Sequence, residues 1–599
     1  MNTVEPLIAT PKHRHLLSLS LLILVVAFIH VPSLFFPFFL DDYVFLERVH
    51  QLDGTKLISL FRSSTMDETA SGVWWVPTGT LPFYRPIGLL TFAIDHYLWG
   101  LRPFGFHVTN LLLHLVCTFL TWRFAWRLLP DPSFAFAVAL VFALHPVHSE
   151  AVSWISGRFD LLVCAMTLAS ALSYLKWKDQ ASPCWGLLSA LWFIIGLGCK
   201  ETALILPAIL LSIEVIFPQA SGRTRRVAIL LIMFGAISMC YLAGRIALFG
   251  SPLGSLPPPY GLDKSTPMVA VENIAWNLIQ YVLDFALFIP VEPVYLAQFW
   301  RANPLLLGTA LTVSALLVTG AAMIARTRLF VVGLLWLMMF TAPSLLSMPG
   351  ERNVYLAGVG LALVISAVFF SLLSRNRDTT RNGFRSPERT WPRRTAYVVV
   401  AIWSVIGIAK QAGFGSLSLA GERVYRDLQM MLPNPPQDAR IFVVNQSPLN
   451  SVGFAQAIRL RYNRPDLSAV ALSLSPSLKA ISVDEITVTG PDSMRLVRAN
   501  GTFFDSFVER FHRFSEPASS LPLAAQRFGL ELIAPPSSLE NVTMISFRLP
   551  HPLGDPRIEV FQWDNQRVRS VVDLFRMGSR TELKRPVCNL QFVPQAAEK

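Results

Sequence analysis

Charge is what this sequence has least of. Only 15% of its 599 residues are Asp, Glu, Lys or Arg, against roughly a quarter in an ordinary soluble domain. That shortage excludes a chain whose whole surface faces water. Cysteine is also scarce: there are six, and Cys117, Cys164, Cys184, Cys199 and Cys240 lie in or beside apolar runs. Cys588 stands alone in the C-terminal tail, so the tail holds no internal disulfide. No Cys-x-x-Cys occurs, which argues against a thiolate zinc site. No repeat with a period of about 20–50 residues is present, so a solenoid is excluded.

What is present is apolar. Hydrophobic residues make up 53% of the chain, and mean hydropathy is +0.47. Runs near or above about 18 residues are candidate membrane spans. They fall at 16–36, 104–128, 133–155, 159–177, 184–199, 200–217, 227–249, 304–325, 329–347, 354–374 and 395–416. The first follows Lys12, His13 and Arg14, lacks a small-residue cleavage site, and reads as a retained helix. Segment 268–290 carries Glu272, Asn273, Asn277, Gln280 and Asp284. It is too polar for a lipid-facing helix, and is expected as a re-entrant or surface-lying segment.

Net charge is +12. Nucleic-acid binding is disfavoured because the Arg clusters sit between apolar segments. With the N-terminus inside, Arg123/Arg127, Lys176/Lys178, Arg223/Arg225/Arg226, Arg326/Arg328 and the Arg375–Arg394 cluster all fall in inner loops. The positive-inside rule demands that arrangement. From Gly421 the pattern changes. "ARIFVVNQ", "SAVALSLS" and "DEITVTG" read as strands; "NSVGFAQAIRLRYN" and "GTFFDSFVERFHRF" read as amphipathic helices. The fold expected is thus a polytopic α-helical membrane domain of about 11 spans over 1–420. An extracytoplasmic α/β or α+β domain follows over 421–599.

Polar residues at the outer ends of the spans are the functional candidates. Asp41 and Asp42 follow the first span. Adjacent carboxylates suit a general base with raised pKa or a divalent-cation site; the bland reading is a helix cap, at about two to one. Arg85, in Phe83-Tyr84-Arg85-Pro86, could hold a lipid phosphate, or could be an interfacial snorkelling Arg. His145-Pro146-Val147-His148-Ser149-Glu150 lacks metalloprotease spacing, and a structural His pair is the plainer reading. Arg158 and Asp160 suggest an interfacial ion pair. Lys200 with Glu201, and Glu351 with Arg352 and Tyr355, lie at further span ends. Each feature is weak alone; together they converge on one membrane face.

Several of these strings resemble a known family. "YRPIGLLTFAIDHYLWGLRPFGFHVTNLLLHLV" (84–116), "ALVFALHPVHSEAVSWISGRFDLLVCAMTLASALSYL" (139–175), "LGCKETALILP" (197–207) and "ERNVYLAGVGLAL" (351–363) are similar to the membrane part of the transmembrane and tetratricopeptide-repeat O-mannosyltransferases. The resemblance covers roughly 15–375. It implies a GT-C superfamily fold, a polyprenyl-phosphate sugar donor, and a site at the luminal or periplasmic face. Asp41 or Asp42 would then be the base or metal ligand. Arg85, Lys200, Arg352 and, less directly, Arg158 would hold donor phosphate, with His145, His148, Glu150, Glu201, Glu351 and Tyr355 in support. The family's tetratricopeptide repeats are absent here, which leaves the acceptor open among protein, lipid and glycan. The activity expected is glycosyl transfer with inversion, in a bacterial inner membrane, with no certain cofactor beyond a candidate divalent cation. The rival is a polytopic lipid or sugar transporter or flippase, which would show internal repeats and charges near the bilayer midplane. A third reading is a non-enzymatic assembly partner that binds through the outer domain.

Overall fold

The computed structural model describes residues 11–52, 57–66, 72–75, 81–218, 223–252, 266–287, 303–325, 327–378, 391–475, 485–498, 501–504, 509, 518–563, 568–571 and 589–592. Helix α1 (Pro11–His30) passes into a 3-10 turn, Val31–Phe35. Helix α2 (Asp41–His50) follows, with both aspartates in its first turn; a helix N-terminus favours negative charge there. Next come α3 (Pro86–Trp99), α4 (Pro103–Leu128) and α5 (Pro132–Leu144). Each opens on a proline, whose missing N–H is an orphan at that position anyway. Asp131 caps α5 by accepting from the N–H groups of Ser133 and Phe134.

The expected span 133–155 is broken. Pro146 stops α5, and the short α6 (Ser149–Ser153) continues after a bend of 50°. Then come α7 (Arg158–Gln180), α8 (Pro183–Cys199), α9 (Leu206–Ile216) and α10 (Arg223–Phe249). They are followed by α11 (Pro267–Leu287), α12 (Pro304–Ile324), α13 (Arg328–Thr341) and α14 (Ala357–Asp378).

Among the described residues seven helices are long and apolar enough to cross a membrane, or eight if the bent pair is one span. The expected count of about eleven includes segments that fall short of that length among the described residues. Pro183–Cys199 and Ala357–Leu372 are short apolar helices, and α9 has only 11 residues. The polar segment 268–290 is largely the helix α11. It is tied at one side, where Asn277 donates to the carbonyls of Leu345 and Ser347 at 2.9 and 3.0 Å.

Helix α15 (Trp391–Met431) has 41 residues and runs through the expected 420/421 boundary. Beyond it lie two sheets. In the first, β1 (Arg440–Val444) pairs in parallel with β2 (Ser468–Ala471) and β7 (Ile558–Trp563), and β8 (Val568–Ser570) closes the order β2-β1-β7-β8. Helix α16 (Phe454–Tyr462) is the β1–β2 crossover that parallel pairing requires. The second sheet has order β5-β6-β4-β3-β9. It is built from β3 (Glu485–Gly490), β4 (Ser493–Val497), β5 (Glu531–Ile533), β6 (Met544–Arg548) and β9 (Asn589–Phe592). The three expected strands are β1, β2 and β3, and the first expected amphipathic helix is α16. The second, 501–514, lies mostly outside the described residues.

The two parts share a core. Phe38, Tyr43, Phe45, Leu46, Phe92 and Phe159 belong to one buried cluster with Val424, Tyr425, Ile441, Phe454, Ile458 and Ala469. Burial of each such side chain stabilises by about 1.5–3 kcal/mol, so α2 depends on the C-terminal region for its packing.

Candidate functional site

The turn entering α2 is unusual. Leu40, its N-cap residue, sits at φ 48°, ψ −116° and supplies no side-chain cap. For a branched residue that conformation is strained and must be held by its surroundings. Asp42 provides part of the hold. Its Oδ2 accepts from the Phe39 N–H at 2.9 Å, and its Oδ1 accepts from the Ser156 N–H at 2.9 Å and from the Ser156 hydroxyl. Asp42 is 1% exposed. Burial pushes its pKa up, against the hydrogen bonds from Ser156 and Phe39, to about 7. Asp42 is thus a buried brace of the turn and not a helix cap, since none of its donors is an N–H of α2. Asp41 differs: it is half-buried, and among the described residues no hydrogen bond to its carboxylate is found. Burial raises its pKa, while Arg352 and Arg85 oppose the rise.

Those two cations belong to a lattice of ion pairs. Arg85 is the N-cap residue of α3. Its backbone N–H donates to Thr65 Oγ1 at 2.7 Å, and its guanidinium lies 4.5 Å from the Phe83 ring. It pairs with Glu201, Nη2 to Oε1 at 2.9 Å and Nε to Oε2 at 3.4 Å. Burial would raise the Glu201 pKa, but Arg85 and Lys200 outweigh it and hold Glu201 at about 2. Lys200 ends α8 in extended conformation. Its Nζ donates to Asp160 Oδ1 at 2.6 Å and to Asn353 Oδ1 at 3.1 Å. Arg352 sits in the 3-10 turn Glu351–Val354. Its backbone N–H donates to Glu150 Oε2 at 3.0 Å, its Nη1 meets Glu150 Oε1, and the guanidinium lies 4.4 Å over the Trp154 ring. Next to it Glu351 is held by Lys410.

Asp41, Arg85, Lys200, Glu201, Glu150, Glu351 and Arg352 thus form one connected electrostatic group. Within it Nη1 of Arg85 and Nε and Nη2 of Arg352 donate to no protein acceptor among the described residues. Both arginines are partly exposed, at 14% and 33% of their side chains. Such free N–H donors can take an anion. Lys200 is buried and acts on its surroundings through charge.

Expectations for Arg158 and Tyr355 are corrected by this geometry. Arg158 does not pair with Asp160 and has no face open to a phosphate. It is 0% exposed, bridges to Asp95 at 2.6 Å, and donates to Asn110 Oδ1 and to the carbonyls of Phe106 and Thr91. His145 and His148 reach the charged group by way of Lys410, which is within electrostatic range of both rings. His145 packs on Trp403, and His148 packs on Phe142 and Tyr355. Tyr355 is likewise turned into the helical core, with its hydroxyl 2.7 Å from His114 Nδ1.

Of the Asp41/Asp42 pair, Asp42 already accepts from three donors. Among the described residues no group of three or more His, Cys, Asp or Glu is arranged to hold a metal ion.

Residues that sequence reasoning missed are Lys410, Asp95 and Asn110. Lys410 left a visible signal: it is a lone ammonium inside the apolar run 395–416. Asp284 of α11 belongs near the same group, within electrostatic reach of Glu351, Lys410 and Glu150.

These features define an integral membrane protein with a charged site at the ends of its helices. No family model matches the chain. It is similar to protein O-mannosyl-transferase Tmtc1 of Drosophila melanogaster, 36% identical over 131 residues, 22% of this chain and 15% of that protein. Human protein O-mannosyl-transferase TMTC1 is 43% identical over 98 residues, 16% of this chain and 11% of that protein. Mouse TMTC3 is 31% identical over 207 residues, 33% and 22% respectively. The chain thus spans less than a quarter of the length of these curated relatives. Of the solved structures, the oligosaccharyltransferase of Archaeoglobus fulgidus matches with TM-score 0.45 at 9% identity, covering 76% of this chain and 62% of that one. ArnT from Cupriavidus metallidurans matches with TM-score 0.44 at 11% identity, covering 76% and 86%.

Proposed function

We propose that this protein is a glycosyltransferase that moves a sugar from a polyprenyl-phosphate donor to an acceptor hydroxyl, with inversion at the anomeric carbon. Asp41 takes the acceptor proton, and the hydroxyl oxygen attacks from the face opposite the lipid phosphate. The departing phosphate carries about two negative charges. Arg85 and Arg352 receive them on their free N–H groups, and Lys200 adds positive potential from behind. Because the cations are already fixed by Glu201, Glu150 and Asp160, little reorganisation accompanies the reaction. This reading neutralises the phosphate with side chains alone.

The observation that carries the reading is the contrast between neighbours. Asp42 is fully committed to Phe39 and Ser156, whereas Asp41 is uncommitted and lies beside Arg85 and Arg352. The resemblance to O-mannosyltransferases favours mannose as the sugar. The acceptor is a protein, lipid or glycan hydroxyl.

Orientation follows the same logic. The start of α4 meets the Asp41 side, where His107 Nε2 lies 3.0 Å from the Phe36 carbonyl. Its far end, about 39 Å away at 1.5 Å per residue, carries Arg123 and Arg127. The basic ends are therefore cytoplasmic by the positive-inside rule, and the site and C-terminal region face outward, in a bacterial inner membrane. The test is transfer from polyprenyl phosphate mannose by Asp41→Asn and Asp42→Asn variants. An Asp41→Asn protein with full activity would end this assignment.

A further inference from the structure

The C-terminal region reaches the strained turn before Asp41 directly. Gly453, the residue before α16, has φ +70°, and a Cβ built on it would lie 2.7 Å from the Leu40 carbonyl oxygen and 3.1 Å from Tyr43 Cβ. A side chain here would strike the backbone of the turn and would also be strained in its own conformation. Two left-handed backbones, Leu40 and Gly453, are thus pressed against each other.

About two helical turns further on, α16 grips α2 by charge. Arg459 embraces Glu47, with Nη2 to Oε2 at 2.9 Å. Arg461 donates from Nη2 to the Tyr43 hydroxyl at 2.8 Å, pairs with Glu422 of α15, and lies 4.8 Å from the Tyr425 ring. All four of these ionic side chains are mostly buried, at 12–20% exposure.

The same region also holds the loop after α2 at its middle. Gly72 N–H donates to the Ser451 carbonyl at 2.8 Å and the Gly72 carbonyl accepts from Ala471 N–H at 2.7 Å, so Val73 extends the β2 edge as a parallel bridge. Trp74 donates its indole N–H to the Leu472 carbonyl at 3.0 Å and is fully buried in the second sheet's core. Helix α2 and the middle of the loop that follows it are therefore anchored in the C-terminal region, although no charged side chain of α16 or β2 joins the Asp41 ion-pair group itself.

We propose that the Gly453 turn and α16 are a positioning element: they fix the Leu40–Tyr43 backbone so that the Asp41 carboxylate points between Arg85 and Arg352. Gly453 and Arg461 are positioning residues, acting through Leu40 and Tyr43 without touching substrate. The proposal rests on the reading of Asp41 as base, but its structural half can be measured without that reading. A displacement of about 1 Å at a reacting group can cost ~100-fold in rate, so loosening this turn lowers turnover and leaves donor binding in place.

The experiment uses the full chain in membrane vesicles that contain its own acceptors, with a short-chain polyprenyl phosphate mannose as probe. Release of free prenyl phosphate gives kcat and KM, and backbone hydrogen exchange reports on residues 41–50. Gly453→Ala and Arg461→Gln are expected to lower kcat by between about 10- and 100-fold. Donor KM should stay within about two-fold, and exchange in 41–50 should speed up. Arg461→Lys keeps one donor for Tyr43 and Glu422 and should recover part of kcat. If Asp41→Asn is inactive while Gly453→Ala and Arg461→Gln keep wild-type kcat and wild-type exchange, the positioning role is overturned and the glycosyltransferase reading stands. If Asp41→Asn is fully active, that reading falls; unchanged exchange in both α16 variants would then overturn the clamp as well.

Discussion

Asp42 and Ser156 are 114 residues apart in sequence, yet the backbone N–H and the hydroxyl of Ser156 both donate to the same carboxylate oxygen, Oδ1. This double contact ties the start of α2 to the turn that opens α7, and it separates the two adjacent aspartates by role. Asp42→Asn replaces an acceptor oxygen by an NH2 group or leaves a buried donor unpaired. A cost of about 1–3 kcal/mol in stability is expected, together with reduced activity from a displaced turn. Ser156→Ala removes only the hydroxyl and should cost about 1 kcal/mol. Asp41→Asn should leave the melting temperature near wild type and abolish transfer. Thermal unfolding and transfer assays on the three purified variants check the pattern; equal stability loss at Asp41 and Asp42 would contradict it.

The pH profile follows from the Asp41 environment. Burial raises its pKa above the ordinary 3.8, and Arg352 and Arg85 pull in the other direction. A general base must be ionised, so kcat/KM should climb as pH rises through a midpoint above the usual carboxylate value. Removing a cation that favours the ionised form must move that midpoint upward. Arg352→Gln should therefore shift the acidic limb to higher pH as well as slow the reaction. A limb that stays fixed or moves downward in Arg352→Gln would show that another group is titrating.

Much of this site could be read in the chain, because membrane sequences advertise their charges. Asp41, Arg85, Glu150, Lys200, Glu201, Glu351 and Arg352 each interrupt or end an apolar run, and the structure brings them together. The pairing was not legible. Arg158 and Asp160 lie two residues apart on α7, which sets them on different faces of the helix. Asp160 accordingly turns to Lys200, while Arg158 turns to Asp95 on α3. The choice between Asp41 and Asp42 depended on Ser156, a residue with no sequence signal at all. At the expected 420/421 boundary hydropathy falls at Gly421, while α15 continues unbroken to Met431 and its polar end packs against α2 and α16. Deletion of 421–599 would strip that shared core, so loss of activity on truncation would not identify an acceptor platform.

Cations in this site should differ sharply in what their removal costs. Lys200 is buried against Asp160, with both side chains under 10% exposed. Lys200→Met strands a buried carboxylate, and a loss of about 3–5 kcal/mol is expected. Arg352 is more open and its partner Glu150 stays partly hydrated, at 21% exposure. Arg352→Gln should therefore cost little stability but about 3–4 kcal/mol of transition-state stabilisation, roughly 10²–10³ in kcat. Denaturant or thermal midpoints beside single-turnover rates separate the two. A stable, fast Arg352→Gln protein would remove Arg352 from phosphate binding.

Arg158 supplies the control, because it carries charge near the site without facing it. The guanidinium is fully buried, bridges Asp95, and sits 4.6 Å from the Phe92 ring. Its role is to join α3, α4 and α7 behind the turn that holds Ser156. Arg158→Met alone leaves Asp95 buried and uncompensated, and a loss of about 3–5 kcal/mol follows. Replacing both partners by apolar residues removes the stranded charge, and such replacements are often neutral or stabilising. The double variant Arg158→Met/Asp95→Leu should thus recover most of the stability and most of the transfer activity of the wild type. If the recovered, well-folded double variant transferred sugar at less than about a hundredth of the wild-type rate, a loss on the scale of one preorganised transition-state contact, Arg158 would be acting on the donor phosphate after all.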